Sequence, residues 1–322
     1  MKLGAFVSVN LYDQPLEQAL QSARGFGCEM VEIGCGGFIG KHHCDPAALL
    51  ANNAALGRFR DAIADSGLQL SALSCHMNAL HPDRSIGETY RQDFRDTIRL
   101  AERLGVERVI TFAGCPGDSD EAKSPNWVTC TWPNYFHELV TWQWEQKVIP
   151  FWREEVGFAR RHGVSKICLE MHPGDVVYSP EKLFRLRETV GPEIGCNFDP
   201  SHLFWQGIDP IAAIRLLGDT IYHVHAKDSR VDPQTVNRVG VLDTKPYNDE
   251  LHRSWIFRTV GYGHSLEFWK ALVSELRLIG YDDVLSIEHE DSLFSGDEGM
   301  AKGAALLKEV MPQQPRSAMW WD

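Results

Sequence analysis

Cys196-Asn-Phe-Asp-Pro-Ser-His202 is an apolar run that ends in a carboxylate, with an imidazole three residues later. Glu193–Phe198 reads as a buried strand, so Asp199 stands at its carboxyl end and the Pro200 turn swings His202 back over the same rim. In a parallel barrel the carboxyl ends of the strands form the mouth where the chemistry is carried. A carboxylate and an imidazole at that rim are a metal-ligating or proton-transferring pair. Working outward, three further predicted strands end in the same way: Lys166–Glu170, Ile221–His225 and Val284–Glu288. A single polar strand end is ordinarily the cap of the next helix. Four together are another matter, since caps need no Glu and capping leaves a His at a strand tip unexplained. The residues therefore predict one divalent metal held by Glu170, Asp199, His225 and Glu288.

The rest of the chain alternates strand and helix around these tips. Leu3–Val9 is the first strand, and Gln14–Phe26 places Leu16, Ala19, Leu20 and Ala23 at helical spacing. Cys28–Ile33 alternates, carries Glu32 near its end and opens into Gly34-Cys-Gly-Gly-Phe-Ile-Gly40. That spacing is not G-x-G-x-x-G and no helix start follows, so it reads as a flexible βα loop and not a dinucleotide cradle. Asp45–Ser66 is a helix with Asp as cap and Pro46 in its first turn. Leu68–Ser74 and Val106–Phe112 are strands flanking the helix Ser85–Leu104, and later helices fall at Pro180–Val190, Asp209–Leu217, Ser265–Ile279 and Glu298–Val310. Eight strand-plus-helix units without a Rossmann fingerprint predict an α/β fold, a closed (β/α)8 barrel over 1–311 with a C-terminal tail at 312–322.

Two connections, after the fourth and seventh strands, exceed ordinary βα loops. Gly114–Pro133 carries Trp127 and Trp132, and the helical segment after it adds Trp142, Trp144 and Trp152, with Pro150 placed to kink it. These aromatics serve either as a satellite core or subunit contact, or, for Trp127, as a surface on which substrate stacks. Ser229–Val260 is basic and aromatic, with Arg230, Arg238, Lys245, Tyr247, Arg253 and Trp255. Long loops in compact domains are usually lids or partner surfaces. Arg230 is a candidate substrate contact at the rim, whereas Lys227 reads rather as a surface ion pair. The tail ends Met-Trp-Trp-Asp, which suits docking on a second copy of the chain in a homo-oligomer or simple disorder.

Composition narrows the function classes. With 322 residues and 43% hydrophobic content the chain buries a large core. A formal net charge of −12 disfavours a nucleic-acid partner. No run is long enough for a membrane span and the start is too short an apolar stretch for a secretory signal, so no membrane partner and a cytoplasmic location are expected. The eight cysteines contain no C-x-x-C pair and read as reduced, mostly buried thiols. Of the thirteen histidines, His76, His81, His172, His202, His223 and His225 fall at or just beyond strand ends.

These motifs together resemble the xylose isomerase-like TIM barrels, the family of sugar phosphate isomerases and epimerases, ketose 3-epimerases, inosose isomerases and dehydratases, and endonuclease IV-type enzymes. The resemblance spans the chain and is strongest at Leu169-Glu170-Met-His-Pro-Gly174, Phe198-Asp199-Pro-Ser-His202, His223-Val-His225-Ala-Lys-Asp228 and Ile287-Glu288-His-Glu290. It implies one Mn²⁺, Mg²⁺ or Co²⁺ on Glu170, Asp199, His225 and Glu288, with His202 bonding substrate beside the metal and His76 as a rim histidine. Two Glu, one Asp and one His make an oxygen-rich site suited to such ions. The three-zinc endonucleases need further ligands. Their histidine after the fourth strand has no counterpart near Thr111–Cys115, and their Asp-x-His falls on Trp255 and Phe257.

A metal that chelates a carbonyl and its neighbouring hydroxyl acidifies the carbon between them, giving an enediolate. The resemblance implies that Glu170 and Glu288 move the proton. The expected function is thus a metal-dependent isomerase or epimerase of carbohydrate metabolism acting on an unphosphorylated keto-sugar or related cyclic polyol. The alternative is a lyase on the same scaffold, cleaving a 3-keto-glycoside or dehydrating an inosose. A metal-free binding barrel would show broken ligands, and all four are present.

Overall fold

The computed structural model describes residues 1–321; Asp322, the last residue of the expected tail, lies outside them. Ten strands are formed: β1 (Lys2–Phe6), β2 (Met30–Gly34), β3 (Gln69–Ser74), β4 (Arg108–Thr111), β5 (Lys166–Glu170), β6 (Ile194–Phe198), β7 (Ile221–Ala226), β8 (Asp228–Val231), β9 (Trp255–Arg258) and β10 (Val284–Ile287). β1 to β7 follow one another in parallel and β10 closes the barrel between β7 and β1. The strands are almost wholly buried, as expected of a parallel sheet covered by helices on its outer face. Inside, Ala72, Ile110 and Cys168 pack as a small cluster against Tyr222. The main core lies between strands and helices, with Phe94, Trp152 and Trp269 fully buried in it.

Where the observed elements differ from expectation, a tertiary contact is the reason. The first strand stops at Phe6 and Val7–Asn10 is helical. There the Asn10 side chain donates to the Ile287 carbonyl at 2.8 Å and accepts from the His289 N–H at 2.7 Å, tying the first and last strand tips together. The helix expected over 45–66 is two helices, Pro46–Ala51 and Asn53–Ser66, because Asn52 adopts an extended backbone and its side chain caps the second. Pro150 lies in the first turn of the helix Ile149–Arg161, directly after a π-helical turn, Gln143–Val148, a position where its missing N–H is tolerated. The glycine loop after β2 is packed, not free. Gly37 (φ 67°) lies so close to the His76 carbonyl that an added Cβ would stand 2.0 Å from that oxygen.

The segment after β7 is no irregular loop. β8 and β9 pair antiparallel, and Pro233–Val239 is a helix capped by Asp232. Asp228 anchors this region. Its Oδ2 accepts from the N–H groups of Gly261, Gly263 and His264 at 3.0, 3.1 and 3.0 Å, and its Oδ1 from Ser229 N–H and His264 Nδ1 at 2.9 and 2.8 Å. The segment after β4 is held instead by amides: Gln143 donates to three of its carbonyls, and Asn78 bonds Cys115 through both N–H and C=O. No helix among the described residues is long and apolar enough to cross a membrane. Seven of the eight cysteines are buried and all are free thiols. Trp320 and Trp321, at the end of the described tail, are exposed.

Candidate metal centre

The carboxyl ends of β5, β6, β7 and β10 bring Glu170, Asp199, His225 and Glu288 together. One ligand atom from each lies within 4.8 Å of the others, and all four side chains are buried. His225 turns Nδ1 inward, 2.9 Å from Glu288 Oε2 and 3.1 Å from Glu170 Oε2. Burial opposes its charge, yet Glu32, Glu288 and Glu170 around it hold its pKa well above the usual histidine range. Burial likewise opposes ionisation of Glu170, but hydrogen bonds from His202, His225 and His76 keep it well below the usual carboxylate range.

Whether these residues suit a cation can be read from their hydrogen bonds. Asp199 Oδ2 and Glu288 Oε2 are buried and have no hydrogen-bond partner among the described residues. A buried carboxylate oxygen without a hydrogen bond is expensive, and a divalent ion held by these residues would offset that cost. Three carboxylates and one imidazole are the donor set of a hard or borderline ion. The residues fit.

His202 stands over this cluster, buried, with Nε2 3.1 Å from Glu170 Oε1 and 3.2 Å from Asp199 Oδ2. Its Nδ1 has no partner among the described residues. Burial works against its charge, but Asp199 and Glu170 raise its pKa to about 9. His76 approaches Glu170 Oε2 at 3.2 Å from the β3 side. Lys227 is not the surface ion pair expected of it: it is 3% exposed, with its ammonium 2.5 Å from Glu290, 3.3 Å from Glu288 and 4.4 Å over the Phe257 ring. The position two residues beyond His225 keeps it on the same rim.

Above the cluster opens a cavity of about 910 Å³, within the ~300–1,000 Å³ range typical of small-molecule sites. Glu170, Glu288, His76, His172 and Lys227 face it, with Phe6, Phe38, Phe112 and Phe257 as its apolar walls. The two long connections both reach it, the first only through Pro125, the second through Tyr247, Asn248, Glu250, Ile256 and Phe257. Arg230 and Trp127 do not line it. Arg230 is exposed in a separate groove beside Arg238 and Arg253, and Trp127 packs edge-on against Tyr178 at 5.7 Å. Trp144 and Trp152 are core residues.

Sequence reasoning passed over two buried groups behind the ligands. Glu32, in the middle of β2, lies 2.9 Å from His225 Nε2, and Asn197, inside β6, donates to Glu170 Oε2 at 2.9 Å. Glu32 carried a signal close to that of the others, a carboxylate near the end of an apolar run. Asn197 carried none.

A sequence profile described as xylose isomerase-like TIM barrel matches residues 20–310. YfiH, an uncharacterized protein of Bacillus subtilis (strain 168), is 38% identical over 315 residues, covering 97% of this chain and 100% of that protein. The inosose dehydratase of Geobacillus kaustophilus (strain HTA426) is 26% identical over 184 residues, 55% of each chain. Among solved structures, a D-tagatose 3-epimerase-like protein superposes with a TM-score of 0.65 at 22% identity, covering 96% of this chain and 97% of that one, a likeness of fold. The closed parallel barrel and the extent of the profile match agree: the chain belongs to the xylose isomerase-like TIM barrel family.

Proposed function

We propose that the protein is a divalent-metal-dependent isomerase or epimerase that acts on a keto-sugar or related cyclic polyol through an enediolate. The observation that carries this reading is the pair of buried carboxylate oxygens without a hydrogen bond, Asp199 Oδ2 and Glu288 Oε2, in a cluster whose Glu170 and Glu288 line a cavity of about 910 Å³. Glu170, Asp199, His225 and Glu288 are the residues that would hold one Mn²⁺, Mg²⁺ or Co²⁺. When bound, such an ion supplies Lewis-acid polarisation of a carbonyl and stabilises the negative charge that develops on it.

The chain's own groups do the rest. Glu170 and Glu288 enter from different walls, β5 and the end of β10, and face the cavity as the carboxylates that take and return a proton. His202 and His76 orient substrate oxygens beside them. Lys227, whose ammonium is held by Glu288 and Glu290, adds a fixed positive charge at the same rim. Phe6, Phe112 and Phe257 exclude water from the reacting carbon. A small sugar or polyol is the partner this cavity takes.

A second reading, a lyase that dehydrates an inosose or cleaves a 3-keto-glycoside, is favoured by the relative that is an inosose dehydratase. Both share proton abstraction beside a carbonyl. Incubation with Mn²⁺ in D₂O and a panel of ketohexoses, inososes and 3-keto-glucosides is expected to place deuterium beside the carbonyl of at least one compound. A stereoisomer or aldose–ketose pair among the products identifies the isomerase, and released water or aglycone the lyase. Glu288→Gln should slow exchange by at least ~10²-fold, the scale for losing a positioned base. Turnover of a substrate with no exchange at all would replace the enediolate by an internal hydride shift.

A further inference from the structure

Besides the four ligand candidates, a second buried group converges on one of them: Glu32, His223 and His225 also bring their polar atoms together. Their hydrogen bonds decide between a second ion and a supporting role. Glu32 is fully buried, its Oε1 taken by the Ser74 hydroxyl and its Oε2 by the Ser286 hydroxyl at 3.1 Å and by His225 Nε2 at 2.9 Å. His223 is occupied too, through Nδ1 with Asn197 Oδ1 at 2.8 Å and Nε2 with Ser71 Oγ at 3.4 Å. No oxygen of Glu32 is orphaned, unlike Asp199 Oδ2 and Glu288 Oε2. This group is a support, not a second metal site.

We infer that Glu32 is the positioning residue of the metal centre: it takes the Nε2–H proton of His225 and so presents Nδ1 as a lone pair to the cation. A carboxylate only accepts, and both serine hydroxyls already donate to this one, so the proton between Glu32 and the imidazole belongs to Nε2. The other side of the ring agrees independently. Asn197 receives the His223 proton on its Oδ1, which turns its amide N–H groups towards Glu170 Oε2 and, at 3.1 Å, towards His225 Nδ1. Glu288 Oε2 at 2.9 Å and Glu170 Oε2 at 3.1 Å face the same nitrogen, so Nδ1 is the one turned to the ligand cluster and Nε2 the one whose proton Glu32 holds. Two elements on opposite sides, the middle of β2 and the interior of β6, thus hold the ring with Nδ1 towards the ligand cluster. The negative charge of Glu32 also makes the imidazole a better donor to a cation, as carboxylate partners of metal-bound histidines do.

The inference rests on the metal reading above, and its test separates the two. Zn²⁺ serves as a diamagnetic probe, titrated into metal-free wild type and Glu32→Gln and followed by calorimetry and by ¹⁵N-histidine NMR. Wild type is expected to coordinate through His225 Nδ1, with the Nε2-bound proton shifted downfield by its charged partner. Glu32→Gln should bind Zn²⁺ ~10–100-fold more weakly, the usual scale for losing such a partner, and lose the downfield shift at saturation. A purely structural role would leave both the coordinated nitrogen and that proton's shift unchanged. Coordination through Nε2, or unchanged Zn²⁺ affinity in Glu32→Gln, overturns the assignment of Glu32 alone. No Zn²⁺ binding by wild type overturns the metal reading with it. Should Glu32→Gln fail to fold, the nitrogen coordinated in wild type still decides.

Discussion

Asp228 and the pair Asp199 and Glu288 are the same kind of group under the same burial, and they do opposite things. Every oxygen of Asp228 is met by a donor, five of them within 3.1 Å, and the result is a rigid connection after β7. Asp199 and Glu288 each keep one buried oxygen with no hydrogen bond from a described residue, faced only by the ion-pair contacts of His202, His225 and Lys227. Burial of a carboxylate is therefore not the mark of a site here; hydrogen-bond deficit is. Asp175 stands between the two cases, with one oxygen taken by the Gly114 N–H at 2.7 Å and no cation paired with it. Burial, the main influence, pushes its pKa up to about 8.

The largest effect expected of this contrast is on stability. Asp228→Ala leaves the N–H groups of Gly261, Gly263 and His264 without their acceptor, and each orphaned donor costs ~1–3 kcal/mol. Urea unfolding should therefore show a loss of ~3 kcal/mol or more, equal in chelator and in Mn²⁺. A loss under ~1 kcal/mol would mean that satisfied carboxylates do little structural work and would break the comparison.

Next in size is the response to a cation. Mn²⁺ at a hundred times its Kd should stabilise wild type by ~2.7 kcal/mol, since it binds the folded state only. Asp199→Asn should abolish most of that gain, because it removes the charge on an orphaned oxygen. An undiminished shift in Asp199→Asn, followed by thermal melts, would show that the deficit marks something other than the ion.

The third effect, read through pH, belongs to Asp175. Its folded pKa is raised, so its carboxyl favours the folded state fully only below the unfolded value, ~3.9, and that contribution is lost as the pH rises through about 8. Asp175→Asn does not titrate. In chelator, its melting temperature relative to wild type should climb by a few degrees between pH 5 and pH 9. A flat difference would show Asp175 to be ionised throughout and as well paired as Asp228.

The barrel was legible in the sequence because parallel strands buried on both faces write themselves as short apolar runs. Each of the eight barrel strands lies where such a run was read, apart from shifts at the ends, of which the turn at Val7–Asn10 is the largest. The cluster of Glu170, Asp199, His225 and Glu288 was legible because a Glu or His that ends an apolar run has nothing local to do. What the sequence withheld was register and neighbourhood. Glu32 lies within its strand near the end of an apolar run, and only barrel closure places β2 where that carboxylate meets an imidazole 193 residues away. Asn197 lies within an apolar strand and is indistinguishable there from any tolerated polar residue. The antiparallel pair of β8 and β9 was hidden because basic and polar residues interrupt its alternation. Arg230 fails to face the cavity for the same reason: on a short strand, neighbouring side chains point to opposite sides.

Closure by β1 against β10 pairs Lys2 with Val284 and Ala5 with Ile287, so β1 waits for the last of the barrel strands in chain order. Contacts of that separation fold slowly, since most of the chain must be ordered before they form. During synthesis β1 through β7 exist as an open sheet with two bare edges, a state prone to wrong partners. Glu288 joins the centre only as that seam shuts. A chain in which β10 has not yet closed the barrel thus brings together at most three of the four candidate ligands, so a cation held as proposed above would enter only the closed barrel.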